Sequence, residues 1–353
     1  MTGLPSINIE FKKRASTLVS RGSKGVVALV LRDATNNGVK YITDDYDIPT
    51  TFSDDNQKYI KLCLVGNVYK PRKIVISTIN ADSDIQTALD LLELEEFDYL
   101  AVPSIQTDEK VKVKTFINKM RTDIKYKARC VMNDASDAEY VVNFSTNDIV
   151  MEKFGNLSNA EFCCFVAGFI AGTPMSQSIT YAVPNGVTGI PVQTKIEAGN
   201  KVKAGELLLI KEAGSIRFAR GINSLTTLTD TKTEDFQKIK LMDIMDLMFN
   251  DMRGLAIKNY IGKMPNSYDN KCKLIIGYNS YLDVLVGDEL VENDYFVGIN
   301  IEKQKNYLKS IGIDVDDMTE QEIKEENTKD KVFLKVKCNL IDSTEEIDMD
   351  VEI

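Results

Sequence analysis

The chain has 353 residues, of which 43% are hydrophobic and 27% are charged, a composition typical of a globular protein with two or three domains. Histidine is absent, which excludes Ser-His-Asp and Cys-His catalytic systems and zinc sites with imidazole ligands. The formal net charge of −10 argues against a protein that binds the phosphate backbone of nucleic acid.

The sequence indicates neither export nor insertion into a membrane. Its first residues lack the basic-then-apolar layout of a signal peptide, so we expect no export signal. The longest apolar run, residues 162–172, is shorter than the about 20 residues that span a bilayer. Six cysteines without a CxxC spacing are expected to be reduced, mostly buried thiols of a protein made in a cytosol.

The first half of the chain alternates strand and helix patterns. A short alternating strand at Ile7, Ile9 and Phe11 precedes a continuous apolar run, typical of a buried strand, at residues 25–31. Further strands are predicted at 73–79, 99–102 and 128–132, amphipathic helices at 81–95 and 108–122, and a buried helix, opened by a capping box at Ser158, at 158–171. The order of these elements predicts a small parallel sheet with right-handed crossovers.

The second half begins after residues 173–200, which are rich in Gly, Pro, Thr and Ser and are predicted to be loops joining two domains. A hairpin is predicted across Ala213-Gly214. A capping box at residues 231–234 predicts the start of a long helix with a stripe of Leu, Ile and Met. The remaining predicted elements are a short helix at 280–286, a strand at 332–338 and a last strand at 346–353.

No constellation of residues predicts catalysis. The phosphate-loop and dinucleotide-binding patterns are absent, and Gly22-Ser23-Lys24-Gly25 precedes a strand, whereas a phosphate loop follows one. The acidic clusters at 44–47 and 314–317 lack the ligand spacing and glycine of a calcium loop. We therefore expect no catalytic residue, no cofactor and no metal site. The alternative is a two-domain cytosolic enzyme that binds a nucleotide, which would need a glycine-rich turn after its first strand.

The two ends of the chain carry opposite charge. Residues 1–32 have a net charge of +5, and residues 314–353 have a net charge of −9. Both ends also carry an alternating strand pattern, and a terminal strand is the easiest element to add to a sheet of another subunit. The alternatives are that both ends pair within their own molecule or that they stay solvated.

Several blocks of residues resemble one known family. Residues 3–9 and 25–33 resemble the start of contractile tail sheath proteins, in particular the short, PBSX-like sheaths of Firmicute phages and of phage-tail-like (R-type) bacteriocins. Residues 217–227 (RFARGINSLTT) are similar to the Arg-Gly-Val-Asn-Thr-Leu-Thr-Thr stretch of that family, and residues 260–263 and 340–347 also fit. The blocks occur in the family's order along nearly the whole chain, with the weakest match at 35–200.

The resemblance implies a structural subunit that is not an enzyme. Such subunits form stacked hexameric rings in a helical array around an inner tube, and contraction of the array drives the tube through the target envelope. The implied partners are other copies of the chain, the inner tail tube protein, and the baseplate and tail terminator proteins, with no nucleic acid and no membrane. The implied location is the host cytoplasm during assembly, and then the tail of a virion or bacteriocin particle.

The resemblance also implies a fold that is α/β plus α+β. It comprises an N-terminal arm at 1–22, an outer α/β domain with connecting loops at 23–200, an inner α+β core domain at 201–342 and a C-terminal strand arm at 343–353. The two arms are expected to join the C-terminal-domain sheet of neighbouring subunits. The residues expected to make these contacts are Ile7, Ile9, Phe11, Ile347, Met349, Val351 and Ile353.

Overall fold

The computed structural model describes residues 25–34 and 37–352. They form two compact units, which we describe separately. The larger unit contains residues 25–246 and 343–352, and the smaller unit contains residues 247–342. Residues 201–246, which the resemblance assigns to the inner domain at 201–342, group with the larger unit by their contacts. The bounds of the outer and inner domains stay a prediction.

A six-stranded sheet forms the centre of the larger unit, and its strands lie in the order β2-β3-β1-β4-β5-β6. The strands are β1 (Val26–Arg32), β2 (Gly38–Ile42), β3 (Lys73–Ile79), β4 (Tyr99–Ala101), β5 (Arg129–Met132) and β6 (Val141–Asn143). All neighbours are parallel except β2, which is antiparallel to β3. The predicted α/β class and parallel sheet are therefore confirmed.

Four helices cover the two faces of this sheet. They are α1 (Asp54–Leu64), α2 (Ile85–Leu92), α3 (Glu109–Thr122) and α4 (Asn159–Ala171). Alternate residues of β1 point to opposite faces, so that Val27 and Leu29 pack with α1 and α4, while Val26 and Ala28 pack with α2 and α3. This burial on both faces explains why β1 reads as a continuous apolar run in the sequence.

Helix α4 is the most buried helix of the larger unit. Its predicted capping box is confirmed: the Ser158 hydroxyl accepts from the Glu161 backbone N–H, and the Glu161 carboxylate accepts from the Ser158 N–H. Three phenylalanines of α4 stack in a row with ring centroids 4.7 and 5.5 Å apart. A Cβ atom at Gly168 would collide with the backbone carbonyl of Cys63 in α1, so glycine permits the close approach of the two helices.

The remaining elements of the larger unit form two small sheets and a helix. They are β7 (Ile149–Met151), β8 (Gly155–Leu157), β9 (Val187–Gly189), α5 (Lys195–Lys203), β10 (Leu209–Glu212) and β11 (Ser215–Phe218). Strands β10 and β11 form the predicted antiparallel hairpin, with Ala213 and Gly214 at positive φ in its turn. The first small sheet has the order β8-β7-β9.

The long helix α6 (Ile239–Asn259) begins later than the sequence predicts. The predicted capping box at 231–234 does not open it, because residues 234–237 form a short 3₁₀ turn instead. The backbone N–H of Ile239 donates to the carbonyl of Gly221 at 2.9 Å, and this bridge holds the segment outside the helix. The predicted start is therefore wrong, although the helix itself is confirmed.

A buried ion network joins the first two turns of α6 to helix α3 and strand β5. Arg121 of α3 donates two hydrogen bonds of 2.9 Å to the carboxylate of Asp246. Arg129 of β5 pairs with Asp243, and its Nε lies 3.2 Å from an oxygen of Asp246. Arg121, Arg129 and Asp246 are all buried. The network explains why the chain remains part of the larger unit as far as Asp246.

The smaller unit contains helices and one two-stranded sheet. Besides the rest of α6, its elements are α7 (Tyr268–Gly287), β12 (Phe296–Ile299), α8 (Ile301–Ser310), α9 (Glu320–Glu325) and β13 (Leu334–Lys337). Strands β12 and β13 are antiparallel, and Leu308, Val315 and Ile323 form a small core beside α8 and α9. The short helix predicted at 280–286 is the end of the longer α7, and the strand predicted at 332–338 is confirmed as β13.

We predict that Gly168→Ala lowers the free energy of unfolding by about 1–3 kcal/mol, because the added methyl group meets rigid backbone. Thermal and urea unfolding of the unassembled protein measure this change. Gly199→Ala in α5 is the matched control, since a Cβ there has nothing within 4 Å, and it is expected to stabilise the protein by about 0.5–1 kcal/mol. Equal effects of the two substitutions would contradict the proposed close packing.

We predict that Asp246→Asn lowers the free energy of unfolding by about 3–5 kcal/mol, because it leaves two buried arginines without their shared carboxylate. The control is Asp84→Asn, which removes an exposed ion pair with Lys112 and leaves an asparagine able to cap α2. This control is expected to change the unfolding midpoint little. A small effect of Asp246→Asn would show that the network does not hold α6 in place.

Candidate assembly interface

The C-terminal segment is anchored to the larger unit by one buried carboxylate. The Oε1 atom of Glu345 accepts hydrogen bonds from the hydroxyl groups of Ser178, at 3.1 Å, and Thr180, at 2.5 Å. Its Oε2 atom accepts from Nε of Arg220 at 3.0 Å. The Glu345 side chain is 8% exposed, so its charge is satisfied by fixed donors rather than by water. We call these four residues the Glu345 clasp.

Strand β11 positions the donors of the clasp. Arg220 follows the end of β11 by two residues, and Phe218 of β11 exchanges backbone hydrogen bonds of 3.0 Å with Tyr181 and Ala182. These bonds hold the segment that carries Ser178 and Thr180 beside Arg220. A Cβ atom at Gly221 would press against the side chains of this segment at 2.9–3.3 Å, so a glycine follows Arg220 where the two stretches meet.

Two weaker contacts flank the clasp. Nζ of Lys240 donates to the hydroxyl group of Ser343 at 3.1 Å. The carboxylate of Glu346 lies 3.3 Å from Arg220 but is 83% exposed, so this ion pair adds little to stability. The position of the segment therefore depends on Glu345, and the sequence offers no sign of this, because Glu345 is one acid among many near the end of the chain.

Beyond the clasp, residues 346–352 lie on the surface outside any helix or strand, and we call this segment the arm. Ile347, Met349 and Val351 are 79%, 73% and 72% exposed, and Asp348, Asp350 and Glu352 alternate with them. Within residues 25–34 and 37–352, the arm has no backbone hydrogen bond, so the strand predicted there is not formed in the single chain. An alternating apolar face without cover is unusual for a soluble subunit and indicates an intermolecular contact.

Three of the seven predicted contact residues lie within the described part of the chain. Ile347, Met349 and Val351 occupy alternate positions of the arm, and all three are exposed. Ile7, Ile9, Phe11 and Ile353 lie outside the described residues. That these seven residues contact neighbouring subunits stays a prediction.

The described part of the chain contains no group of three or more acidic or cysteine side chains placed to hold a metal ion. The acidic cluster at 44–47 forms a capped 3₁₀ turn, in which Asp44 and Asp47 accept backbone hydrogen bonds. All six cysteines are unpaired, and burial raises the pKa of Cys163 to about 12, which disfavours a reactive thiolate. Among the described helices, none has the length and apolar character needed to cross a membrane.

Comparison with protein families identifies two matching regions. Residues 80–224 match the phage tail sheath protein central domain, and residues 231–353 match the phage tail sheath C-terminal domain. The chain is 42% identical to the tail sheath protein of Clostridium phage phiCD119 over 359 residues, covering 100% of both chains. It is 30% identical over 179 residues to the PBSX phage-like element protein XkdK of Bacillus subtilis, covering 48% of this chain and 38% of that protein.

Solved structures share the fold at low sequence identity. The sheath tail protein of Desulfitobacterium hafniense has a TM-score of 0.68 at 18% identity, covering 84% of this chain and 93% of that chain. The helical sheath of the anti-feeding prophage in its contracted state has a TM-score of 0.68 at 17% identity, covering 100% and 99%. The resemblance to sheath proteins is thus confirmed across the chain, and the nucleotide-binding enzyme is set aside because the relatives are structural proteins. The chain belongs to the phage tail sheath family and is a structural protein of a contractile tail sheath.

Proposed function

We propose that copies of this chain form stacked hexameric rings in a helical array around an inner tail tube, and that contraction of the array drives the tube through the target envelope. The observation that carries this proposal is the arm, whose root is buried in the Glu345 clasp while its alternating apolar side chains are exposed. Such a segment lacks a partner in its own described chain, and addition to a sheet of a second copy supplies one.

The two-stranded sheet of the smaller unit is the acceptor we propose. Odd-numbered residues at both ends of β13 direct their backbone groups toward β12. The carbonyl groups of Phe333 and Asn339 accept hydrogen bonds of 2.9 Å from the backbone N–H groups of Asn300 and Glu292, respectively. Because backbone groups of successive residues point to opposite edges of a strand, those of the even-numbered residues of β13 point away from β12. This second edge has no partner strand among the described residues and can take the arm of another subunit.

The side chains of β13 and the arm are complementary in this arrangement. In β13, the half-buried Leu334 and Val336 alternate with the exposed Lys335 and Lys337. If the apolar side chains of the arm continue the face of Leu334 and Val336, its carboxylates lie on the face of the two lysines. Opposite charges on neighbouring strands contribute about 0.2–1 kcal/mol per pair, and repetition across an array adds many such contributions.

The other elements of the proposal follow the family resemblance. Ile7, Ile9 and Phe11 form the corresponding N-terminal contacts, and Ile353 extends the C-terminal one. The α/β part at 23–200 faces outward, and residues from 201 onward form the layer nearest the tube. The baseplate and tail terminator proteins bind the two ends of the array. Assembly takes place in the host cytoplasm and yields the tail of a virion or a bacteriocin particle.

The free energy for contraction is stored at assembly in this scheme. The extended array is kinetically trapped, and a signal from the baseplate starts the rotation of subunits, as nearly rigid bodies, into a more tightly packed state. The arms stay paired with their neighbours and act as hinges. No nucleotide is consumed, which agrees with the absence of a phosphate-loop pattern from the sequence.

We predict that Met349→Asp combined with Val351→Asp leaves the monomer folded and reduces tube formation at least tenfold. The two carboxylates would have to be buried against the apolar face of the acceptor sheet, which is costly. Negative-stain electron microscopy and pelleting of the protein, produced together with its inner tube protein, measure assembly. Circular dichroism and thermal unfolding check the fold.

The matched control adds the same two charges elsewhere on the larger unit. Tyr46 and Leu94 are 97% and 87% exposed, so Tyr46→Asp with Leu94→Asp is expected to assemble at the normal yield. Normal tubes from the arm variant would overturn strand exchange through this arm. Equal loss from both variants would show that added charge, rather than the arm, controls assembly.

We predict that Glu345→Ala raises the protein concentration needed for assembly at least fivefold, because the root of the arm loses its three fixed donors. Glu346→Ala is the control, since this neighbouring carboxylate is mostly exposed and is expected to have little effect. Hydrogen–deuterium exchange of residues 341–346 should rise in the first variant and not in the second. Indistinguishable variants would mean that the clasp does not position the arm.

A further inference from the structure

The smaller unit carries an open groove that none of the interactions described so far uses. Its volume is about 800 Å³, and it lies between the end of α6, the start of α7 and the residues that lead into β13. Several apolar side chains line it and are partly exposed, namely Ile261 at 66%, Met264 at 43% and Val332 at 41%. Leu274 and Leu334 also line it. The groove can therefore accept an apolar side chain.

A buried lysine lies in the wall of this groove. Lys271 is 3% exposed, and among the described residues its ammonium group makes one hydrogen bond, a long one of 3.4 Å, to the backbone carbonyl of Glu326. No carboxylate of the described residues lies within ion-pair distance of it. Burial lowers the pKa of the Lys271 side chain, and the charge of the more distant Glu326 carboxylate opposes this shift only in part. The other charged groups that line the groove are Lys329 and Asp330. A buried ammonium group that has no counterion within ion-pair distance is stabilised by a ligand that brings a carboxylate.

A second polar group in the groove lacks a partner. The Nδ2 atom of Asn266 lies 2.8–3.0 Å from the hydroxyl group of Thr328 and the carbonyl groups of Lys329 and Lys331, which compete for its two N–H groups. Its Oδ1 atom is buried and accepts no hydrogen bond from the described residues. A ligand that supplies both a carboxylate for Lys271 and an N–H group for Asn266 would satisfy both residues. An acidic peptide has both groups.

The arm has this chemistry, and the proposed strand addition brings its tip to the groove. If the arm runs antiparallel to β13, its last residues extend past Leu334, where β13 begins and where the groove lies. Beyond that point no ladder holds alternate side chains to opposite faces, so neighbouring residues of the tip can both turn inward. This step rests on the proposed function.

We propose that the tip of the arm of a second copy occupies this groove, with Val351 against the apolar lining, the Glu352 carboxylate on the ammonium group of Lys271 and a backbone N–H group of the tip on Oδ1 of Asn266. The groove then sets the register of the exchanged strand. Lys271 is the residue that selects an acidic tip, because an uncharged tip would leave its ammonium group without a counterion.

The test is a double-mutant cycle on peptide binding. The receptor is the full chain carrying Met349→Asp and Val351→Asp, which is expected not to assemble, and the probe is a fluorescent peptide of residues 343–353. Fluorescence anisotropy measures the dissociation constant. We expect Lys271→Met in the receptor and Glu352→Gln in the peptide each to weaken binding at least fivefold, and the two together to weaken it no more than either alone.

Two controls match these changes. Lys273→Met alters an exposed lysine of the same helix, and Asp348→Asn alters a carboxylate of the arm that we place on the strand face. In the corresponding cycles, Lys273→Met is expected to show no coupling with Glu352→Gln, and Asp348→Asn is expected to show no coupling with Lys271→Met. Thermal unfolding of the Lys271→Met receptor verifies that it folds, which is expected because the substitution removes a buried charge and keeps a long apolar side chain.

The outcomes separate this inference from the proposed function. The groove site is overturned if Lys271→Met and Glu352→Gln weaken binding independently, so that their effects multiply, or if the peptide does not bind at all. This holds even when tubes form and their formation requires Met349 and Val351. Coupling as expected supports the groove site. Tubes that form normally without the apolar side chains of the arm overturn strand exchange, whatever the peptide does.

Discussion

The larger unit depends on the burial of a parallel sheet on both faces. In strand β1, Val27 and Leu29 pack against one helical layer, and Val26 and Ala28 pack against the other. Both faces of the sheet are therefore buried. Covering one face with α1 and α4 side by side requires the close approach at Gly168. The same core extends to β11, because Phe169 of α4 packs on Phe218 with ring centroids 5.0 Å apart. The strand that positions the clasp is therefore packed against the core of the larger unit.

The C-terminal segment has a root that is bound by its own chain and, beyond it, apolar side chains that its own described chain leaves uncovered. Its root carries a carboxylate that is costly to bury without donors, and Ser178, Thr180 and Arg220 supply these donors within the subunit. Its tip carries apolar side chains that remain exposed. The hydrogen bonds of the polar root fix the position at which the arm leaves the subunit. The exposed apolar side chains beyond it would be stabilised by contact with a partner.

The proposed links between subunits are individually weak. A short added strand contributes a few backbone hydrogen bonds, each worth about 1 kcal/mol net, and a few cross-strand pairs. Because every subunit of a helical array would offer an arm and an acceptor sheet, the links together form a mesh. Weak links that remain paired while subunits rotate suit a sheath that changes length without falling apart. Tight, extensive interfaces would resist that rotation.

The sequence by itself determined the elements whose signals are local. The apolar run of β1, the capping box of α4 and the turn at Ala213-Gly214 each predict the observed structure, because burial, capping and turn geometry depend on neighbouring residues. The alternation at 346–353 predicts a strand, which is not formed among the described residues of the single chain, and its pairing with another subunit stays a prediction. Tertiary structure alone decided the late start of α6, because a bridge from Gly221 to Ile239 overrides the capping box at 231–234. It also decided that Arg121 and Arg129 meet Asp246, and that the Glu345 side chain is withdrawn from solvent while that of its neighbour Glu346 stays exposed. These contacts join residues more than a hundred positions apart, and no local pattern of charge distinguishes their members from solvated neighbours.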